Sequence, residues 1–162
     1  MSIVLARIDN RLIHGQVLES WVPYTHANCI VVANDEVAGL TFQRMLMEAA
    51  VPRGIRVVIG TIEEIASLHA GGELDVSRVM LLFASSVDAL QAYRLGVHFA
   101  ALNLGNMHGG AGKMRLSCTI ALDPADIGTL KLLEEEGVRI VSQCIPSDRE
   151  QSWRKLIREA GN

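Results

Sequence analysis

The chain is predicted to fold as one α/β domain over residues 1–162, a mostly parallel central sheet of about six to seven strands with helices on both faces. Three observations predict it. Short β-rich apolar runs alternate with stretches of helical period along the chain. Several runs are apolar almost throughout, as at Cys29-Ile30-Val31-Val32-Ala33, which suits strands covered on both faces. Glycines fall where helices must stop, at Gly54, Gly71, Gly72, Gly96 and Gly137.

The first strand is expected over Ser2–Ile8, followed by a short helix over 15–22. A second strand covers Asn28–Asn34. The next helix, 41–50, carries Phe42, Met45, Leu46 and Ala49 on one stripe, read as its packing face. Strand Arg56–Gly60 leads into helix 61–70, where Thr61-Ile62-Glu63-Glu64 matches a capping box. Strand Arg78–Phe83 precedes helix 86–95, and strand Phe99–Leu104 precedes an irregular stretch, Gly105–Lys113. Leu116–Leu122 reads as an extra edge or antiparallel strand. Asp123 caps helix 124–136, strand Val138–Cys144 follows, and Asp148 opens a last helix over 148–159. Trp21 and Trp153 read as core residues. No second domain, linker, repeat or low-complexity segment interrupts this order.

Composition excludes several function classes. Apolar residues are 49% and charged residues 20%, which favours collapse over disorder. A net charge of -3 removes the phosphate attraction on which nucleic-acid binders depend, and 4% aromatics offer little for base stacking. The longest apolar runs, such as Val79–Ala84, are far short of a membrane span, and the N-terminus lacks the basic flank of a signal peptide. Three cysteines, Cys29, Cys118 and Cys144, show no CxxC spacing and read as buried, reduced thiols of a cytoplasmic protein.

In parallel sheets ligands bind beyond the carboxyl ends of the strands. The loop after the first strand, Asp9-Asn10-Arg11-Leu12-Ile13-His14-Gly15-Gln16, carries the most chemistry. A neutral imidazole is nucleophilic near pH 7. A guanidinium fork matches phosphoryl oxygens. The helix that follows directs free backbone N–H groups toward an anion, and Gly15 leaves the backbone open to close approach. Asp9 could orient the ring or hold Arg11. These parts suit a phosphorylatable histidine and equally a general anion site.

Arg7-Ile8-Asp9-Asn10-Arg11-Leu12-Ile13-His14-Gly15-Gln16-Val17, with Trp21 four residues on, resembles the start of the IIB components of the mannose/sorbose family of the bacterial phosphoenolpyruvate-dependent sugar phosphotransferase system (PTS). The resemblance continues through Val32–Ala38 and Ala50–Gly54. It returns at Asn103–His108, Gly112-Lys113, Gly137 and Ile145–Asp148. It implies a phosphoryl carrier. His14 would accept the group, at Nδ1, from a phosphohistidine of a IIA protein and pass it to a sugar of the mannose, fructose and sorbose class entering through membrane IIC and IID. Arg11 maps onto the family's active-site arginine. Where the family reads Asp-Asp or Asp-Glu this chain has Asp9-Asn10, which leaves Asp9 as the functional carboxylate. The implied location is cytoplasmic, peripheral to the membrane through IIC and IID. No cofactor is implied beyond the transient phosphoryl group, and a homodimer is left open. A phosphorylation-dependent regulatory module without a transport role, or a small enzyme binding a phosphorylated metabolite, would use the same loop.

Phosphate contacts are expected from Asn10, Gly15, Gln16, Asp35, Ser85, Ser86 and Gly105. Asp35 would hydrogen-bond Arg11 or the His14 ring, or else cap the next helix. Ser85 and Ser86 would donate to phosphate or serve as N-caps. The loop from Gly105 to Lys113 would line an anion pocket, act as a lid or docking loop, or merely connect. Its spacing fails the P-loop pattern at Met107 and Met114. No G-x-G-x-x-G, G-x-S-x-G or HExxH occurs, and His14, His26, His69, His98 and His108 form no metal-binding spacing.

Overall fold

A computed structural model describes residues 2–161. Six strands run parallel: β1 (Ser2–Asp9), β2 (Cys29–Ala33), β3 (Arg56–Gly60), β4 (Arg78–Phe83), β5 (Ala101–Asn106) and β8 (Arg139–Ser142). With β9 (Gln151–Ser152), antiparallel to β8, they form a sheet ordered β3-β2-β4-β1-β5-β8-β9. β6 (Met114–Arg115) and β7 (Ala121–Leu122) make a separate antiparallel pair.

Alternation along the strands builds two cores. Ala6 and Ile8 of β1, Cys29, Val31 and Ala33 of β2, and Val79, Leu81 and Phe83 of β4 face the larger one. There they meet α4 (Ile62–Ala70), α5 (Ser86–Arg94), α6 (Pro124–Glu135) and α7 (Trp153–Ala160) through residues such as Ile65, Ala89, Leu130 and Trp153. Ile30, Val32, Met80 and Leu82 face the other side and pack on Val17, Trp21 and Val22. The chain after β1 therefore turns to one face, while the chains after its neighbours β4 and β5 reach helices on the other. That divergence opens a crevice beyond the end of β1.

The first helix differs in kind from its expectation. Helical structure runs over 15–25, with a π-helical turn at Val17–Trp21 and α1 at Val22–Thr25. Val22 N–H bonds Val17 O. Pro23 has no N–H to donate, and the wide turn accommodates that loss. His26, at φ 54°, ends the helix in the left-handed region.

Other expectations are corrected. Of the expected Leu116–Leu122 strand only the end, β7, forms: its first part is a turn, because the Ser117 hydroxyl accepts the amides of Thr119 and Ile120, and the pairing partner β6 lies just before the expected stretch. The last helix begins at Trp153, not 148, and Asp148 caps nothing. It accepts from Ile145 N–H within a turn, and residues 151–152 pair as β9. A four-residue helix, α2 (Asp35–Ala38), was not anticipated, and Asn34 caps it. The Thr61–Glu64 capping box and the Asp123 cap are present.

In α3 (Thr41–Ala50) the expected packing stripe faces outward. Phe42, Met45 and Leu46 are 72%, 60% and 55% exposed, and Met47 makes the helix's contact with the core. Helical period locates a stripe but does not say what covers it. Cys29 is buried as expected, but Cys118 is exposed on the β6–β7 turn and Cys144 is half-buried; all three are free.

Candidate functional site

Arg7 and Asp9 are two apart on β1, so both point to the face covered by the 15–25 helix. Both are fully buried. Beyond Asp9 the chain turns sharply. Asn10 N–H bonds Asn106 O at 3.0 Å, and Leu12 N–H returns to Asp9 O at 2.9 Å. Leu12 adopts φ 58°, rare for a bulky residue, and burial of its side chain in the smaller core holds it there. Ile13 is buried beside it, which leaves His14 at the mouth of the crevice. The His14 carbonyl accepts from Leu18 N–H at 3.1 Å, so the amides of Gly15, Gln16 and Val17 precede the first intrahelical bond.

Asp9 is the hub. Its Oδ1 accepts from Arg11 N (3.1 Å) and Arg11 Nε (3.0 Å). Its Oδ2 accepts from Arg11 Nη2 (3.0 Å), Arg7 Nη2 (3.3 Å) and His14 Nε2 (3.1 Å). Burial pushes the Asp9 carboxyl up. The hydrogen bonds from His14 and Arg11 overcome that and hold it well below the usual carboxylate range. An ionised carboxylate only accepts, so His14 Nε2 is the donor in this bond, and in the neutral form of the ring the lone pair then lies on Nδ1. No described residue bonds Nδ1. The His14 side chain is 16% exposed and that of Arg11 40%, so both are open to a partner.

Of the other expected residues, some join this cluster. Gln16 Oε1 accepts from Arg11 Nη2 at 3.2 Å and steadies the fork. Asn10 Oδ1 accepts from Asn106 Nδ2, bracing the loop against the end of β5. Gly15 has open space where a Cβ would stand, next to His14. Ser85 ends the neighbouring loop but is engaged as the N-cap of α5, accepting from Asp88 N–H.

Three expected residues turn elsewhere. Asp35 reaches neither Arg11 nor His14; its carboxylate accepts Ile62 N–H at the start of α4, where an acid is favoured by the helix dipole. Ser86 is buried toward the larger core and donates to Asp126. Gly105 faces inward, where an added Cβ would overlap the Arg7 guanidinium. The register of β5 against β1 slips between Ile8 and Asp9, so that Asp9 pairs with Asn106 and Gly105 is passed over.

Arg7 is the residue that sequence reasoning missed. It donates to Asn103 Oδ1, to Gln143 O (2.8 Å) and to Cys144 O (3.1 Å), besides Asp9. Its guanidinium lies 5.0 Å from the Trp21 ring centre, and Trp21 Nε1 bonds the same Cys144 carbonyl. Burial pulls its pKa down and the Asp9 charge opposes that. The available signal was position. A charge on a strand buried on both faces, two residues before an acid, must be paired.

A family model described as "PTS system sorbose subfamily IIB component" matches residues 3–162. The chain is 36% identical over 148 residues to the sorbose-specific EIIB component of Klebsiella pneumoniae, covering 91% of this chain and 90% of that one. It is 36% identical to N-acetylgalactosamine-specific phosphotransferase enzyme IIB component 2 of Escherichia coli K12, covering 96% and 99%. The mannose-specific EIIAB component of the same organism matches at 31% over 97% of this chain and 49% of its own length. The crystal structure of the IIBSor domain of the K. pneumoniae sorbose permease superposes with a TM-score of 0.93 at 34% identity over 98% of both chains.

Proposed function

Because the chain belongs to the sorbose-subfamily IIB components of the phosphotransferase system, we propose that it carries a phosphoryl group on His14 Nδ1 between a IIA protein and an incoming sugar. The observation that carries this reading is the hydrogen bond from His14 Nε2 to the buried, ionised Asp9, which leaves Nδ1 as the nucleophile.

The His14 lone pair attacks phosphorus on a IIA phosphohistidine. The Nδ1–P bond forms as the donor N–P bond breaks, and that electron pair returns to the donor ring. Negative charge spreads over the equatorial oxygens of phosphorus. Arg11, held beside the loop by Asp9 and Gln16, meets it by turning its planar fork toward the phosphoryl group, and the amides of 15–17 add donors from the helix end. Gly15 leaves room for the phosphoryl group. Throughout, Nε2–H stays on Asp9, so the imidazolium character that develops on attack is stabilised. In the second transfer, at membrane IIC and IID, a hydroxyl oxygen of a sugar of the mannose, fructose and sorbose class attacks phosphorus, the Nδ1–P bond breaks with its electron pair returning to the His14 ring, and the hydroxyl proton passes to water. The sorbose- and N-acetylgalactosamine-specific relatives support a sugar acceptor, and the joined EIIAB relative supports a IIA donor. No helix among the described residues is long and apolar enough to cross a membrane, which fits a peripheral role. The mechanism calls for no cofactor.

Incubation with phosphoenolpyruvate, enzyme I, HPr and IIA tests this. The expected result is one acid-labile phosphate on His14 of the wild type and none on His14→Gln. Normal phosphorylation of His14→Gln, or a phosphate mapped to another residue, overturns the assignment.

A further inference from the structure

Two arginines share one carboxylate, and their settings are opposite. The Arg11 side chain is 40% exposed and bonds Asp9 and Gln16. The Arg7 side chain is wholly buried, its remaining bonds run backward to Asn103, Gln143 and Cys144, and it packs on Trp21. Arg7 thus cannot touch an incoming phosphoryl group. Arg11 can, and turning its Nε–Nη2 edge onto that group means loosening the bidentate hold that it keeps on Asp9. A buried carboxylate stripped of its cation is strongly disfavoured.

Resting on the reading of His14 as phosphoacceptor, we infer that Arg7 is a positioning residue, the fixed counter-ion of Asp9 that releases Arg11 to follow the phosphoryl group. With Arg7 in place, Asp9 keeps a buried cation and the His14 Nε2–H bond while Arg11 turns outward. The site can then accept a dianionic group without leaving Asp9 unpaired. Two features preserve the seat of Arg7. Gly105 offers no Cβ where the guanidinium lies, and Asn103 and two backbone carbonyls fix its far side.

The test follows the Arg11 Nε–H resonance of 15N-labelled protein as phospho-IIA is added, with transfer kinetics on the same samples. In the wild type the Arg11 signal is expected to shift when His14 is phosphorylated. In Arg7→Gln, and in Gly105→Ala, which keeps the arginine but displaces it, kcat is expected to fall roughly 10- to 100-fold, the worth of one charge-assisted bond. KM for phospho-IIA should stay within about twofold, because no contact with the donor is lost. The Arg11 response should vanish in both, and Arg7→Lys should recover part of the rate. A folded variant with wild-type kcat overturns the inference. So does a slow variant whose Arg11 signal still responds fully, since Arg7 would then be merely structural. The wild type decides even if the variants misfold, because an Arg11 signal unmoved on His14 phosphorylation shows that Arg11 never leaves Asp9. If the wild type takes no phosphate on His14, the functional reading itself has failed and this inference falls with it.

Discussion

Replacing Asp9 with asparagine removes the charge at the centre of the site while nearly preserving its shape. The carboxylate accepts five hydrogen bonds, three from Arg11 and one each from Arg7 and His14. The asparagine amide offers one acceptor oxygen and turns donor hydrogens toward the groups at the other position. Arg11 can re-solvate, so its share of the loss is small. Arg7 cannot, and it is left buried without its counter-ion. Breaking one side of a buried pair in this way costs about 3–5 kcal/mol. For a chain of this size that lowers Tm by roughly 6–20 °C. The pH dependence carries a further signature. Burial raises the Asp9 pKa, hydrogen bonds from His14 and Arg11 lower it more, and the folded value ends well below the unfolded one. The stabilisation is therefore fully present above the unfolded carboxylate value of about 3.9 and is lost as pH falls toward the folded value. Denaturant melts of wild type and Asp9→Asn at pH 7, 5 and 3 should show a constant gap at the first two and a narrower one at the third. A gap below about 1 kcal/mol at pH 7, or one unchanged at pH 3, refutes the reasoning.

The exposed stripe of α3 predicts tolerance. Changing Phe42, Met45 and Leu46 together to serine should move the unfolding free energy by less than about 1 kcal/mol, because little burial is lost; chemical denaturation measures it. Native-state alkylation with iodoacetamide should label Cys118 and spare Cys29, which is buried and whose thiol burial pushes up; peptide mass spectrometry separates the two.

The parallel strands were legible because both-face burial writes continuous apolar runs, and their helices because caps and glycines punctuate them. What escaped was short or contextual. β9 is two residues long and precedes Trp153 directly, so a helical pattern absorbed it. The Ser117 turn takes up most of the stretch read as one strand and leaves only Ala121–Leu122 extended, paired with the two residues that precede the stretch. In the site, Asp9, Arg11, Gln16 and His14 lie within one loop, where spacing alone brings them together. Asp35 and Ser86 also follow strand ends, yet each turns toward a different helix, because strand polarity fixes the rim but not the direction taken beyond it. Arg7 falls within the expected first strand and is given no role there, although its face and its spacing from Asp9 tie the two together.

The wide turn between Val17 and Trp21 puts one residue of slack between the reacting loop and the anchor at the Cys144 carbonyl. Tightening it to ordinary pitch would take up that residue and swing the loop end by about 100° relative to the indole. The bearing of the imidazole is thus set by helical phase as well as by its carboxylate: a single-residue deletion between 17 and 20 would return the turn to ordinary pitch and keep that bearing, whereas a single-residue insertion there would misaim it without touching any group that bonds it.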